Sequence, residues 1–439
     1  MTYPAWITSI VAFVREHPRR AAAAICALVA LLIAAWWSGS LRSASTAARV
    51  GASREMHRDD ARPGAQLHIP WSQQMLASDG PCFDKPVPAP DDKMQAQADL
   101  EEKAVEAKAA SVLDRFTANL AAGSTDRDRA AGMYLQEVEA RHAAGAAWIQ
   151  AHGTCADTDT ACWSDLSEAG VDAVGTVGYQ RALAHLATTT SDAEAYALAL
   201  YSCTAVAGGD CALLSYAQWA RLEPDNAVPW LHLAAEAERR HDRSGLDAAM
   251  LRASKSRYSD SYTDAISRPF FLSDDYQSQP PLVQFQLAAQ VIGIEAAVAL
   301  PPIQTAALYC KTGANSAASA QICGDLAAVL IEHSGTVMEV FLGGHIAEKV
   351  GWVDPRLSGL RDQADALRWQ MSKDAESWKE RAGCGGLPEF QARVQLGELA
   401  FLRRELAGNG VPASEAAEQW RAEVRKRSIA SPQPQALER

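Results

Sequence analysis

From Lys93 onward the chain is written in helix formers. The stretch KMQAQADLEEKAVEAKAASVLDRFTANLAAG opens this region and is rich in Ala, Glu, Lys and Leu, residues that give up little side-chain freedom in a helix. Asp126–Gln150 is a second long helical run, and helical stretches then alternate with short Gly, Pro or Asp punctuation nearly to the end. Phe285, Ala288, Ala289, Ile292 and Ala296 recur at helical spacing and predict one apolar face. No run shows the alternation of period two that a half-buried strand requires. The expected fold is therefore all-α. With 48% hydrophobic residues in 439, the chain can bury a large core, as two or three domains or as one elongated array.

The region before Lys93 has a different character. Ala21–Trp37, AAAAICALVALLIAAWW, carries no charge. As a helix it spans about 25 Å, near the lower limit for a membrane crossing, and Trp36 and Trp37 would sit at the interface. Tyr3–Val14 is too short to span and is expected to lie on the membrane. A cleaved signal peptide is the alternative, but the apolar run exceeds the usual signal core and the lead before it is long. The expected organisation is a cytoplasmic or interfacial segment over 1–20, a transmembrane anchor over 21–37 and a flexible tether over 38–92. The tether is rich in Ser, Gly and Pro, and its DKPVPAPDD cannot be a helix interior. A helical domain then occupies 93–257, an irregular connection 258–281, a second helical hairpin region 282–430 and a disordered tail 431–439.

Charge does not orient the span, since Arg15, Arg19 and Arg20 before it balance Arg42, Arg49 and Arg54 after it. Cysteine usage orients it better. Of nine cysteines, Cys26 lies within the span and six others form three close pairs in sequence, which fits an oxidising compartment. The N-terminus is therefore placed in the cytoplasm and the remainder across the inner membrane, in the periplasm of a Gram-negative cell. A net charge of −12 and a pI near 5.4 exclude nucleic acid as a natural partner, because phosphate contacts need clustered Lys and Arg.

A repeat-like pattern lies in the middle of the chain. Trp230 is followed by Leu233 and Ala234, Tyr196 stands 34 residues upstream at the same phase, and Trp163 and Leu166 lie 33 residues before that. Ala212 and Tyr216 have the A-x3-aromatic spacing, and Pro224 follows where a closing proline belongs. This pattern resembles the tetratricopeptide repeat, a helix-turn-helix unit of about 34 residues. Departures are Leu246 at the place Ala212 holds one repeat earlier, and Ala237 in place of the usual tyrosine. The resemblance implies close helix packing at Ala212, Leu233 and Ala234, with Tyr196, Tyr216 and Trp230 filling grooves. The architecture it implies is a helical-hairpin array, or α-solenoid, behind the anchor.

The cysteines extend the resemblance. Cys203 and Cys211 flank AVAGGD, Cys310 and Cys323 flank KTGANSAASAQI, and Cys155 and Cys162 flank ADTDTA. The arrangement is similar to the cysteine-rich Sel1-like repeats, in which a disulfide ties the two helices of a hairpin. The resemblance implies that each pair is such a staple, with Cys203 ending one helix, Cys211 beginning the next and Ala205–Asp210 forming the turn. Trp230 would then open the following helix and pack on Ala212 and Tyr216. Cys82 and Cys384 remain, and their pairing would join the start of the region to its far end. Free buried thiols and zinc ligation are the other readings, the latter without any C-x2-C spacing to support it.

Chemistry is hard to find. There is no H-E-x-x-H, G-x-S-x-G or P-loop. Glu139 and His142 share a helix face and read as a surface ion pair. Asp157 and Asp159 hint at a calcium loop whose sixth position would be Cys162 rather than glycine. His232, His333 and His345 are isolated, and Trp352, Trp369 and Trp378 read as core. Ala23, Ala27, Ala30 and Ala34 give small-residue spacing within the span. No catalytic, cofactor-binding or metal-binding residue is expected, and no cofactor. The reading is a non-enzymatic, membrane-anchored periplasmic protein that acts as a scaffold or accessory factor for a protein partner. The alternative is an envelope glycan hydrolase, or a peptidoglycan-binding module, with carboxylates contributed from separate helices.

Overall fold

The computed structural model describes residues 92–153, 155, 160–171, 174–203, 209–296, 302–313, 316–351, 355–381, 392–393 and 395–430. The expected span, the segments flanking it, Cys26, Cys82, Cys384, Trp352, Asp157, Asp159 and the tail all lie outside these residues. Among the described residues the fold is all-α, and no helix is long and apolar enough to cross a membrane. The helices are α1 (Asp92–Ala121), α2 (Asp126–His152), α3 (Thr160–Val171), α4 (Val174–Thr189), α5 (Ala193–Cys203), α6 (Tyr216–Leu222), α7 (Ala227–Arg239), α8 (Arg243–Ser254) and α9 (Ser267–Leu272). They continue with α10 (Asp274–Gln277), α11 (Pro281–Ala296), α12 (Ile303–Gly313), α13 (Ala317–Glu332), α14 (Val337–Lys349), α15 (Pro355–Arg381), α16 (Glu398–Gly408) and α17 (Ala413–Ala430). A 3-10 turn, Gly209–Leu213, precedes α6.

The chain forms two compact units. The described part of the first comprises Asp92–Ala104 and Ala144–Ala169; the second takes Val105–Ala143 and everything from Gly170. In the first unit Leu166 is buried beside Gly145, and Trp148 stacks on His152 one helical turn later with ring centroids 4.6 Å apart.

One apolar cluster of the second unit gathers helices from α1 to α11. Ala109, Val112 and Phe116 of α1 meet Tyr134 and Leu135 of α2, Leu183 of α4, most of α5, Trp219 of α6 and Val291 of α11. Alanine-rich faces let α1 and α2 approach closely. A Cβ on Gly132 would lie 2.3 Å from the backbone nitrogen of Ala121, so only glycine fits this crossing. Further along the chain α7 and α8 form a hairpin, α8 packs on α13, α7 packs on α12, and α13, α14, α15 and α17 pack in succession. The α7–α8 turn closes with a backbone bond from Asp242 N–H to the Ala237 carbonyl, and His241 takes φ +58°. That is the helix-ending geometry glycine usually supplies.

Two sequence expectations shift. The buried face of α11 carries Val283, Leu287, Val291 and Ile294 together with Ala288, while Phe285, Ala289 and Ile292 are half-buried. Both faces of α11 carry apolar residues, so helical spacing alone does not decide which of them is buried. The segment 258–281, expected as an irregular connection, carries α9 and α10 and supplies the densest aromatic packing in the unit. Phe270, Phe271 and Tyr276 are fully buried, and Phe270 meets Phe116 edge-on at 4.9 Å.

Candidate functional site

The densest polar architecture lies where residues 257–262 run as a strap between two helix-opening turns. On one side the strap pairs with the α6–α7 turn. Arg257 N–H donates to the Asp225 carbonyl at 2.8 Å and Ala227 N–H donates to the Tyr258 carbonyl at 2.8 Å. On the other side it pairs with the α13–α14 turn, where Ser259 N–H donates to the His333 carbonyl and Gly335 N–H to the Ser259 carbonyl, both at 3.0 Å. These two parallel bridges are the extended pairings seen among the described residues. Asn226 does two jobs. Its side-chain oxygen caps α7 at Val228 N–H and accepts from Asp260 N–H, while its amide donates to the Asp260 carbonyl at 2.8 Å. A fully buried asparagine is tolerated because its polar atoms find these partners.

Two carboxylates anchor the strap. Glu223 accepts the hydroxyls of Tyr258 and Tyr262, each at 2.6 Å, with Trp219 Nε1 at 3.1 Å and Asn226 Nδ2 at 2.9 Å. Burial and the Glu223 bond push both tyrosine hydroxyls upward, so they stay protonated donors. Glu339, at 1% exposure, accepts from Ser259 Oγ at 2.7 Å through one oxygen. Its other oxygen closes a reciprocal cap with Thr336, whose N–H and hydroxyl lie at 3.2 and 2.9 Å.

More acids gather around this strap. Burial raises Asp260 to about 6, aided by Asp264 and Glu223 and opposed by the Tyr262 N–H and Arg268. Glu194 rises to about 7, chiefly by burial; Arg127 at 3.1 Å pulls it down while Asp192, Asp264 and Asp260 push it up. Glu295 rises to about 8 by burial, with Asp264 adding to it, although its carboxylate caps the Ser267 N–H at 2.6 Å. Carboxyls poised to hold a proton near neutrality can exchange protons with a bound group. Among the described residues no cluster of His, Cys, Asp and Glu is arranged to hold a metal ion.

The residues singled out from the sequence fall elsewhere. Cys155 and Cys162, Cys203 and Cys211, and Cys310 and Cys323 lie at disulfide distance, with Cα separations of 5.6, 5.4 and 5.7 Å. Cys203 ends α5, but Cys211 sits inside the 3-10 turn, and α6 begins only at Tyr216 under a Ser215 cap. Ala212, expected at a helix crossing, is exposed on that 3-10 turn. Trp230 is half-buried in the first turn of α7. Its Nε1 donates to the Pro224 carbonyl at 3.0 Å and Arg252 of α8 lies over its ring, so it does not fill the groove beside Tyr216. His232 fills that groove instead, stacked on Tyr216 with centroids 4.2 Å apart. Two residues turn a helix by about 200°, so Trp230 and His232 must face opposite ways. Burial lowers His232 to about 3, leaving it neutral.

Tyr196 is buried in α5 and both accepts from and donates to the Ser215 backbone. Leu233 is half-buried and Ala234 fully buried in α7, and Pro224 lies in the turn before it. Trp369 is buried in α15; His333 caps the exposed end of α13, and His345 is half-buried in α14. The strap itself escaped sequence reasoning. Its one visible signal was the cluster of Tyr, Ser and Asp at the break after Arg257. The fold thus defines an all-α protein with local cysteine pairs and an acid-rich seam. Comparison with protein-family models, curated proteins and solved structures returns no match.

Proposed function

We propose that the chain is a non-enzymatic, membrane-anchored periplasmic protein whose tetratricopeptide- or Sel1-like helical hairpins present a surface to a protein partner in the cell envelope. The observation that carries this reading is the α7–α8 hairpin. Its two helices, Ala227–Arg239 and Arg243–Ser254, are joined by a three-residue turn, and the small Ala234 is buried in the first of them, which supports the resemblance. Stacked hairpins of this kind commonly bind proteins or extended segments. The cysteine pairs support an oxidising compartment, and Ala21–Trp37 supplies the anchor.

The test is site-specific photocrosslinking in the native membrane from exposed positions Leu251 and Leu308. One discrete adduct, shared by both positions and absent with the probe at buried Leu231, is expected. No adduct at either position would refute the surface. Membrane-impermeant thiol labelling after reduction should reach the half-buried Cys155, Cys162 and Cys211 in intact spheroplasts; labelling of these only after lysis would refute the compartment.

A second reading, an envelope glycan hydrolase, is favoured by one observation: Glu194, Asp260 and Glu295 are carboxyls held partly protonated near neutrality by burial. Loss of peptidoglycan hydrolysis in Glu295→Gln or Glu194→Gln, against a hydrolysing wild type, would establish it; an inert wild type would remove it.

A further inference from the structure

At the end of α16 the chain reads Asn409-Gly410-Val411-Pro412. Asn409 closes the helix at φ −69° and ψ −10°, its N–H donating to the Glu405 carbonyl at 3.0 Å. Gly410 follows at φ +67°, the left-handed conformation glycine supplies at helix ends. Both residues are exposed, and a Cβ on Gly410 would meet nothing within 4 Å. Among the described residues the Gly410 N–H makes no backbone hydrogen bond. The Asn409 side chain, by contrast, is tied inward. Its Nδ2 donates to Gln370 Oε1 at 2.7 Å, and Gln370 Nε2 donates to Asp374 Oδ1 at 2.7 Å. Asp374 also accepts from Arg393 at 3.0 Å. Gln370 and Asp374 are both buried in α15. The Asn409 amide is thus the surface end of a buried relay that joins α16 to α15.

We propose that Asn409 is a site of intramolecular deamidation in the folded protein, and that the acid formed there breaks the relay between α16 and α15. The Gly410 backbone nitrogen attacks Asn409 Cγ and gives its proton to solvent. The new N–Cγ bond closes a five-membered succinimide, and the Cγ–Nδ2 bond breaks, Nδ2 leaving as ammonia with a proton taken from water. Water then opens the ring. Addition at Cγ gives aspartate, and addition at the backbone carbonyl carbon gives isoaspartate, in which the main chain runs through the former side chain. No oxidant or reductant takes part, and water is the co-reactant. Glycine favours the attack because no side chain shields its nitrogen. The open space around Gly410 and its untied N–H let the 409–410 peptide turn about ψ of Asn409 and bring the nitrogen to Cγ.

The product cannot take the place of the amide. A carboxylate accepts hydrogen bonds and donates none, so it faces Gln370 Oε1 with no proton between them. Turning the Gln370 amide over would offer Nε2 to the new acid but would set Oε1 against the Asp374 carboxylate. One bond of the relay is lost in either arrangement, and a buried polar atom is left without its partner. The new negative charge also stands one glutamine side chain away from that of Asp374. The end of α16 and the Gln370–Asp374 turn of α15 should therefore loosen together, while the α7–α8 hairpin is unaffected.

The experiment incubates the folded, full-length protein in detergent at neutral and mildly alkaline pH, then digests it with trypsin. The Glu405–Arg421 peptide carries Asn409 as its single asparagine, so its mass reports the change from amide to acid, and its elution separates the aspartate and isoaspartate forms. Asn409 should convert progressively, faster at the higher pH because the nitrogen attacks after losing its proton, with isoaspartate among the products. Asn226, fully buried and followed by Ala227, should remain an amide in the same sample. Amide hydrogen exchange on Asn409→Asp should show lost protection at 370–374 and 405–409, with 227–254 as in wild type. Asn409 that stays an amide in the folded protein while the excised peptide converts would overturn the proposal. So would conversion no faster than that of Asn226, or Asn409→Asp with wild-type exchange at 370–374.

Discussion

Replacing Phe270 with alanine should cost the second unit most of what a single core substitution can. Phe270 is fully buried in α9. It meets three other rings: Phe116 edge-on at 4.9 Å, Phe271 edge-on at 5.4 Å and Tyr276 tilted at 5.4 Å. Truncating a buried phenylalanine to alanine typically loses about 3–5 kcal/mol in transfer and cavity terms. Ring pairs contribute about 0.5–1.5 kcal/mol each beyond area. Phe116 comes from a helix more than a hundred residues earlier, and Phe271 and Tyr276 are themselves pinned, so the site has little freedom to collapse. The expected loss is in the upper half of the range, about 4–5 kcal/mol. Phe270→Leu keeps much of the volume and should lose about 1 kcal/mol. Leu272→Ala, two residues on but 56% exposed, should change stability by less than about 0.5 kcal/mol.

Urea unfolding of the full-length protein in detergent measures all three. Tryptophan fluorescence is a suitable probe because Trp219 is fully buried in the same cluster. If Phe270→Ala loses less than about 1 kcal/mol, or no more than Leu272→Ala, then α9 is a peripheral connection and the core assigned here is wrong.

Other variants probe separate features. Cys203→Ser with Cys211→Ser should lower stability by about 1–3 kcal/mol without abolishing the fold, since a short loop constrains little chain entropy; thermal melts with and without reductant check it, and identical curves in oxidising buffer would retire the staple. Gly132→Ala should destabilise by about 2–3 kcal/mol, because the new Cβ meets the backbone at the end of α1 rather than a movable side chain; circular dichroism melts would show it. For Glu295, raised from 4.5 to about 8 by burial, the stabilising contribution is complete below pH 4.5 and lost as pH rises through 8. The thermal midpoint should therefore fall between pH 5 and pH 8.5, and Glu295→Gln should show a shallower fall, the remainder shared among buried acids that include Glu194, Asp260 and Glu339.

Which parts of this structure could be read in advance depends on how far apart in sequence the interacting residues lie. The helices were visible because their determinants are local: alanine-rich, helix-forming runs broken by short Gly, Pro or Asp punctuation. The cysteine pairs were visible for the same reason, being separated by 7, 8 and 13 residues. Where the next helix starts was not visible: Cys211 falls in the 3-10 turn Gly209–Leu213, α6 begins only at Tyr216 under its Ser215 cap, and Ala212 is exposed between them.

The strap shows the opposite limit. Asn226 meets Asp260 across 34 residues and Ser259 meets Glu339 across 80. No local period encodes such pairs, and a stretch rich in Ser, Asp, Tyr and Pro reads as a loop whether it is solvated or buried. Its role follows from a shortage elsewhere. Alanine-rich helices remove little apolar area per residue from water, so α1, α2 and α5 approach closely yet gain little by doing so. The aromatic rings of 258–276 make up that deficit, and they can do so only if the chain carrying them enters the interior. An extended backbone entering the interior needs partners for its N–H and C=O groups. The turns at Asn226 and Ser334 supply them, and the buried acids Glu223 and Glu339 accept the remaining hydroxyls. The ionisable seam is thus a consequence of building a core from small residues, which is why its proton content and the stability of the fold are coupled.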